Sequence, residues 1–404
     1  MILKRSISAL TLASVLVAHA LTASQAFAQT PNRPVTHSPI QDQGYVGYCW
    51  SYATMGMMEG EALKHGKHVV LSPEYVGFYH MFDEMKANWG TYRTFARKKP
   101  PKKLFGKLVQ GIAKTIVSSL FKPSEGAASL IDALTVAKEV GVVPETAFKF
   151  KIGKDQQGLE NRIGRFIADK LLLKPQLDAY EKNQDQLFED FATAYGARPP
   201  KITDTFTYEG QSYTPKTFMT NYVQFNPDGY KQFKVGPDNH DQMIRAMKQS
   251  LAANKSVEIG FIIYEDFETA KKSGRFDEKN CKNNLCTSPV GGHAILAVNT
   301  IEDNSGREPM AGVVIKNSWG LQGLDDNGAA TAESSAKGFN VITNGYFKMG
   351  YVKAAPAANP TPTPSASASP APAATPTPTA SPSTVPNPSP VTWWMLLPTE
   401  FAPN

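Results

Sequence analysis

Three cysteines, Cys49, Cys281 and Cys286, are all that 404 residues contain. So few exclude a small disulfide-stapled scaffold, and apart from His293 no His or Cys lies near the last two to complete a zinc-type ligand set. In an oxidising compartment Cys281 and Cys286 can pair across a short loop and leave Cys49 alone. The other options are that both stay free or bind metal. A membrane-spanning run is also missing: the apolar stretch Ile7–Leu21 is short for a span and broken by Ser, Thr and His. The net charge of +6 falls to about +4 without Lys4 and Arg5, too little to point to nucleic acid. Charge of one sign is absent locally, since residues 93–122 hold nine basic residues and no acidic one. Segment 354–390 is Pro, Ala, Ser and Thr with almost nothing to bury.

The N-terminus has a charged start, an apolar centre and Ala26-Phe27-Ala28 before Gln29. This reads as a signal peptide over 1–28, hence an exported chain, periplasmic or secreted. With no cysteine at the cleavage point, a lipoprotein anchor is not expected. A globular body is expected over 29–353, with insertions at about 83–123 and 150–235. Residues 354–390 read as a disordered linker. Residues 391–404, with Trp393-Trp394-Met395-Leu396-Leu397, form an apolar tip that reads equally as a docking peptide or an unstructured end.

The body opens on Gln43-Gly44-Tyr45-Val46-Gly47-Tyr48-Cys49-Trp50 almost at once, leaving no room for an N-terminal pro-segment. A helix is expected from Cys49 to about His65, where Gly66 stops it. A second follows Ser72-Pro73-Glu74, with serine as cap and proline at the first helical position. Within the basic run, Leu104, Leu108, Ile112, Ile116 and Leu120 recur at helical spacing, as a helix packed on the body or lying on a membrane surface. Helices are expected over Leu130–Val140, across Leu159 to about Tyr195 and over Asp241–Ala253, and a hairpin over Phe206–Tyr213. Strands are expected at 257–264, 293–300, 312–317 and 345–349. Helices come mainly first and strands mainly last, which makes the class α+β.

A cysteine at the first turn of a helix is a nucleophile candidate, because the helix N-terminus favours the thiolate. Gly291-Gly292-His293-Ala294 then places a histidine at the start of an apolar strand. Ile315-Lys316-Asn317-Ser318-Trp319-Gly320 places an asparagine at the end of the next. A Cys/His pair needs a third group to orient the imidazole, and an amide oxygen does so without adding charge. Each element alone is weak. Their order, Gln-x5-Cys-Trp, Gly-His-Ala, Asn-Ser-Trp-Gly, is specific.

These residues resemble the papain family of cysteine peptidases, over Pro39 to about His65, Gly126–Phe148, Met243–Phe276 and Gly291–Tyr351. The resemblance implies a helical left lobe carrying the nucleophile and a sheet or barrel right lobe carrying His and Asn. It implies Cys49 as nucleophile, His293 as general base and ion-pair partner, Asn317 as orienter and Gln43 as oxyanion donor beside the Cys49 N–H. Trp319 would shield the His293–Asn317 bond, with Trp50 supporting, and Glu59 matches a structural glutamate. Gly126, Ala127 and Ala294 would bind substrate. The substrate would be a peptide or protein, with no cofactor, metal or nucleic acid.

The sequence departs from the pattern at Val46, at Gly291-Gly292 and in a long insertion between Trp319 and Gly345-Tyr346-Phe347. The inserted helices, Ser72-Pro73-Glu74-Tyr75 and Thr214-Pro215-Lys216-Thr217-Phe218 look more like the bleomycin-hydrolase branch. That branch's C-terminus enters the cleft and makes it an aminopeptidase, whereas here an export signal and a Pro-rich tail stand instead. Two rival readings use the same residues: acyl transfer from Cys49 to an amine, and a catalytically idle module holding a surface or membrane through residues 93–122.

Overall fold

The computed structural model describes residues 34–44, 47–98, 111, 113, 115–116, 129–152, 155–281, 286, 288–320, 324–326, 329, 338–349 and 393–403. The expected signal peptide, most of the basic run, Gly126, Ala127 and the linker 354–390 lie outside the described residues.

The central element is helix α1, Cys49–Lys64, in which every residue from Cys49 to Ala62 is buried. A helix buried on all sides needs no polar face, and α1 carries small residues where other segments press closest. A Cβ at Gly60 would lie 2.7 Å from the Thr36 carbonyl oxygen, and one at Gly56 would lie 3.1 Å from Lys316 Nζ. These two glycines admit the N-terminal strand-like segment and the sheet to the helix backbone.

Helix α2, Pro73–Ala87, starts at the expected Ser-Pro signal, although the Ser72 hydroxyl makes no cap bond. Helices α3 (Trp89–Lys98) and α4 (Ser129–Val140) follow, then α5 (Gln156–Phe166), α6 (Lys174–Lys182) and α7 (Gln184–Tyr195). The insertion α5–α7 is part of the core. Phe78 of α2 meets Phe188, Phe191 and Tyr195 of α7 at ring separations of 5.5, 5.3 and 5.0 Å. Burying aromatic surface of this kind contributes about 1.5–3 kcal/mol per side chain. The hairpin of β1 (Phe206–Tyr208) and β2 (Gln211–Tyr213) stands alone as a two-stranded sheet.

The second layer is a seven-stranded sheet ordered β3-β9-β4-β6-β7-β8-β5. Its strands are β3 (Tyr230–Val235), β4 (Val257–Tyr264), β5 (Arg275–Phe276), β6 (Pro289–Ile301), β7 (Gly312–Lys316), β8 (Phe339–Thr343) and β9 (Trp393–Pro398). Helix α8, His240–Ala252, lies between β3 and β4 in the chain, and the short α9, Phe267–Ser273, follows β4. All pairings are antiparallel except β5 with β8.

Two expectations need correction. The strand expected at 345–349 is a helix, α10 (Asn344–Met349), and the strand lies at Phe339–Thr343, where four consecutive buried residues follow Gly338. Residues 393–398 are neither a loose end nor a peptide for another molecule. They form β9, inserted between β3 and β4 with its side chains buried apart from the half-buried Trp394. Trp393 stacks on Phe347 of α10 at 4.3 Å, which sets β9 beside that helix.

Candidate active site

Three short segments meet where α1 abuts β6. The Gln41–Gln43 strand-like segment pairs with Ser318–Gly320, through Gln43 N–H to the Ser318 carbonyl at 2.9 Å and Gly320 N–H to the Gln41 carbonyl at 3.3 Å. A turn at Gly44 (φ +63°), whose N–H donates to Asp42 Oδ1 at 2.8 Å, redirects the chain into α1. Cys49 therefore sits at the first residue of a buried helix, as a free thiol. Its sulfur is met by the backbone N–H groups of Ala294 and Trp50. Ala294 follows His293 in β6, so the thiol lies against the strand that carries the histidine.

His293 Nε2 lies 2.9 Å from Asn317 Oδ1, and both residues are buried. The Asn317 orientation follows from chemistry: its Oδ1 also accepts the Ser318 backbone N–H at 2.8 Å, and a backbone N–H can only donate. The hydrogen between His293 and Asn317 therefore belongs to Nε2, which leaves Nδ1 as the imidazole's basic nitrogen. Trp319 stacks on the His293 ring at 4.5 Å and 16° and covers it on one face. Trp50 Nε1 donates to the Gly47 carbonyl at 3.1 Å, bracing the turn before Cys49. Ser318 Oγ donates to Gln43 Oε1, so the donating end of the Gln43 amide is turned from Ser318.

Burial dominates the electrostatics. Desolvation pushes the Cys49 thiol up to about 11 against the help of the Ala294 and Trp50 N–H groups, and the Glu258 charge adds a smaller push in the same upward direction. Desolvation likewise holds His293 down to about 4, and its bond to Asn317 works the other way. Burial disfavours the charged form of each group taken alone. A thiolate and an imidazolium formed here together would each compensate the other's charge.

Behind the site, buried Glu59 accepts from Ser38 Oγ, from Gln41 Nε2 at 2.9 Å and from the Leu71 N–H at 2.7 Å. Lys316 Nζ donates to Ser38 Oγ at 2.7 Å, completing a buried charge network between α1 and the strand that leads to Asn317. Burial raises the Glu59 pKa and lowers that of Lys316, and in each case the other's charge opposes the shift. Cys281 and Cys286 are joined in a disulfide. The Asp266 carboxylate and the two sulfurs lie within 4.8 Å of one another, but sulfurs bonded to each other are not the thiolates a metal requires. Of the expected substrate contacts, Gly126 and Ala127 lie outside the described residues, and Ala294 lies opposite Gly260 of β4.

Sequence reasoning missed Lys316, Ser318, Glu258 and Asn340 as neighbours of the site. Glu258 is fully buried on β4, takes a hydrogen bond from Thr54 Oγ1 at 2.9 Å, and burial raises its pKa well above the usual carboxylate range. A polar residue inside an apolar strand, as in Val257-Glu258-Ile259 or Phe339-Asn340-Val341, was the available signal.

No family model matches the sequence, and no curated protein matches it. Among solved structures, PepW from Lactobacillus rhamnosis HN001 superposes over 99% of this chain and 90% of its own, with a TM-score of 0.55 at 15% identity. The fold is papain-like. The papain-like chain divides as such folds do, with a helical left lobe holding α1 and a sheet right lobe holding β6 and β7. Xylellain, a cysteine protease from Xylella fastidiosa, matches 80% of this chain and 82% of its own, with a TM-score of 0.39 and 16% identity. Digestive procathepsin L 3 from the larval midgut of Tenebrio molitor matches 78% and 66%, at 0.33 and 15%. Among the described residues, no helix of this papain-like chain is long and apolar enough to cross a membrane.

Proposed function

We propose that the chain is an exported cysteine-type peptidase with Cys49 as nucleophile, His293 as base, Asn317 as orienter and Gln43 as oxyanion donor. The observation that carries this reading is the His293 Nε2–Asn317 Oδ1 bond under Trp319, on the strand against which the Cys49 sulfur rests. With Nε2–H committed to Asn317, Nδ1 takes the thiol proton and the thiolate attacks the scissile carbonyl. The oxyanion is received by Gln43 Nε2–H and the Cys49 N–H, donors fixed before reaction. His293 then protonates the leaving amine through Nδ1. The thioester left on Cys49 is hydrolysed by water that His293 deprotonates, which restores thiol and imidazole.

Export rests on the signal-peptide pattern of residues 1–28, and substrate contact by Gly126, Ala127 and Ala294 on the resemblance. The peptidase domain takes in residues 29–353 together with β9. The deciding experiment treats the mature chain with an epoxide inhibitor and follows a small fluorogenic peptide. Stoichiometric labelling at Cys49 and loss of cleavage in Cys49→Ala are expected. Cleavage that persists in Cys49→Ala would refute the reading.

A further inference from the structure

We propose that Asn340 is a positioning residue for the His293 imidazole, acting through Asn317; the proposal rests on the peptidase reading above. Asn317 Nδ2 donates to Asn340 Oδ1 at 2.7 Å, and both side chains are buried, at 3% and 4% exposure. The carboxamide of Asn317 is thus held at both ends. Its oxygen takes the His293 Nε2–H and the Ser318 N–H, and its nitrogen gives to Asn340.

Strand β8 is built to deliver this acceptor. The Asn317 main-chain N–H donates to the carbonyl of Gly338, the residue just before β8, at 3.2 Å, so this segment holds Asn317 by backbone as well as by side chain. The β7–β8 register sets Asn340 opposite Ile315 and Phe339 opposite Lys316, which brings Asn340 to the end of β7 where Asn317 begins. Gly338 adopts φ +120°, and a Cβ there would lie 2.4 Å from Ile40, so the approach of β8 depends on glycine at that point.

The physical need is specific. An Asn side chain turns about its terminal torsion over a broad, nearly two-fold surface. Turned over, Asn317 would set its NH2 against two donors, His293 Nε2–H and Ser318 N–H. The Ser318 N–H disfavours that state but does not hold the amide plane, because it engages only the oxygen. Asn340 supplies the second point, and a buried amide N–H without it would be left unsatisfied, a cost of about 1–3 kcal/mol. When Nδ1 gains a proton, the Nε2–H donation strengthens, so a fixed oxygen matters more during turnover than at rest.

The test compares Asn340→Ser, whose hydroxyl is too short to reach Asn317, with Asn340→Asp, which keeps an acceptor oxygen in place. Melting temperature, kcat, KM and the imidazole Nε2–H proton resonance are measured on the mature chain. For Asn340→Ser we expect a loss of about tenfold or more in kcat with little change in KM, together with broadening or loss of the Nε2–H signal. Asn340→Asp keeps the signal and most of kcat. Asn340→Ser with wild-type kcat overturns the proposal, as does Asn340→Asp losing as much as Asn340→Ser with both folded. If Asn340→Ser does not fold, retention of the signal and of kcat in Asn340→Asp supports the proposal and their loss overturns it. A wild-type chain that neither labels nor cleaves overturns the peptidase reading and this proposal together; labelling and cleavage with a normal Asn340→Ser overturn this proposal alone.

Discussion

Deleting residues 391–404 should abolish folding, whereas cutting the chain within 354–390 should not. β9 pairs with β3 over six positions and with β4 over three, and Trp393, Met395, Leu396 and Leu397 are buried. At about 1.5–3 kcal/mol each, these four side chains contribute roughly 6–12 kcal/mol of burial, and the surface they cover on β3, β4 and α10 a similar amount. Ordering the six strand residues costs back about 6–12 kcal/mol. The net loss on deletion is then on the order of 6–12 kcal/mol, comparable to the roughly 5–15 kcal/mol that holds a whole domain together. Removal would also strip the cover from Glu258, which sits opposite Leu396. The assay is thermal unfolding by near-UV circular dichroism of three proteins: full length, truncated after 390, and full length carrying a protease site near residue 370 that is then cut. We expect no cooperative transition for the truncated chain and a transition close to full length for the cut one. A truncated chain that melts within a few degrees of full length would refute the reasoning.

Other outcomes follow from the same geometry. Ser318→Ala, which releases the Gln43 carbonyl, should lower kcat/KM on peptides about tenfold while epoxide labelling of Cys49, which passes through no tetrahedral carbonyl oxyanion, keeps its rate. Equal losses in both would show that Ser318 acts on the thiol rather than on Gln43, and no loss in either would show that Gln43 is held by other means. Replacing Lys316 with Met leaves Glu59 buried without its counter-charge and should cost about 3–5 kcal/mol by urea unfolding, and a loss under 1 kcal/mol would contradict the pairing. Burial holds His293 down to about 4 in the fold against its ordinary value of about 6.5, so the unfolded state binds the extra proton between those values. The stability it contributes is present above pH 6.5 and falls by about 3 kcal/mol as pH drops towards 4, a loss that His293→Gln should remove from a pH series of urea midpoints.

The sequence made the chemistry legible because each proposed reactive group lies in a short motif with turn glycines and strand patterning around it. Cys49 starts a helix after Gly44 and Gly47, His293 follows two glycines, and Asn317 ends an apolar strand. Long-range register was not legible. The support for Asn317 comes from β8, and placing that strand at 345–349 instead of 339–343 put Asn340 outside the expected sheet. β9 escaped for a different reason. A short apolar run after a Pro-rich segment carries no signal of its partners, and its place between β3 and β4 is decided by the shape of the opening they leave. Lys316 could be read as the exposed end of a strand, and only packing against Glu59 and Ser38 makes it a buried charge.

The stacking of Trp393 on Phe347 sets β9 beside α10, so the two described ends that flank residues 350–392 lie together. The entropy of closing such a loop grows only with the logarithm of its length, about 0.6 kcal/mol per doubling. A change in the length of that connection should therefore cost little while the register of β9 between β3 and β4 stays where it is.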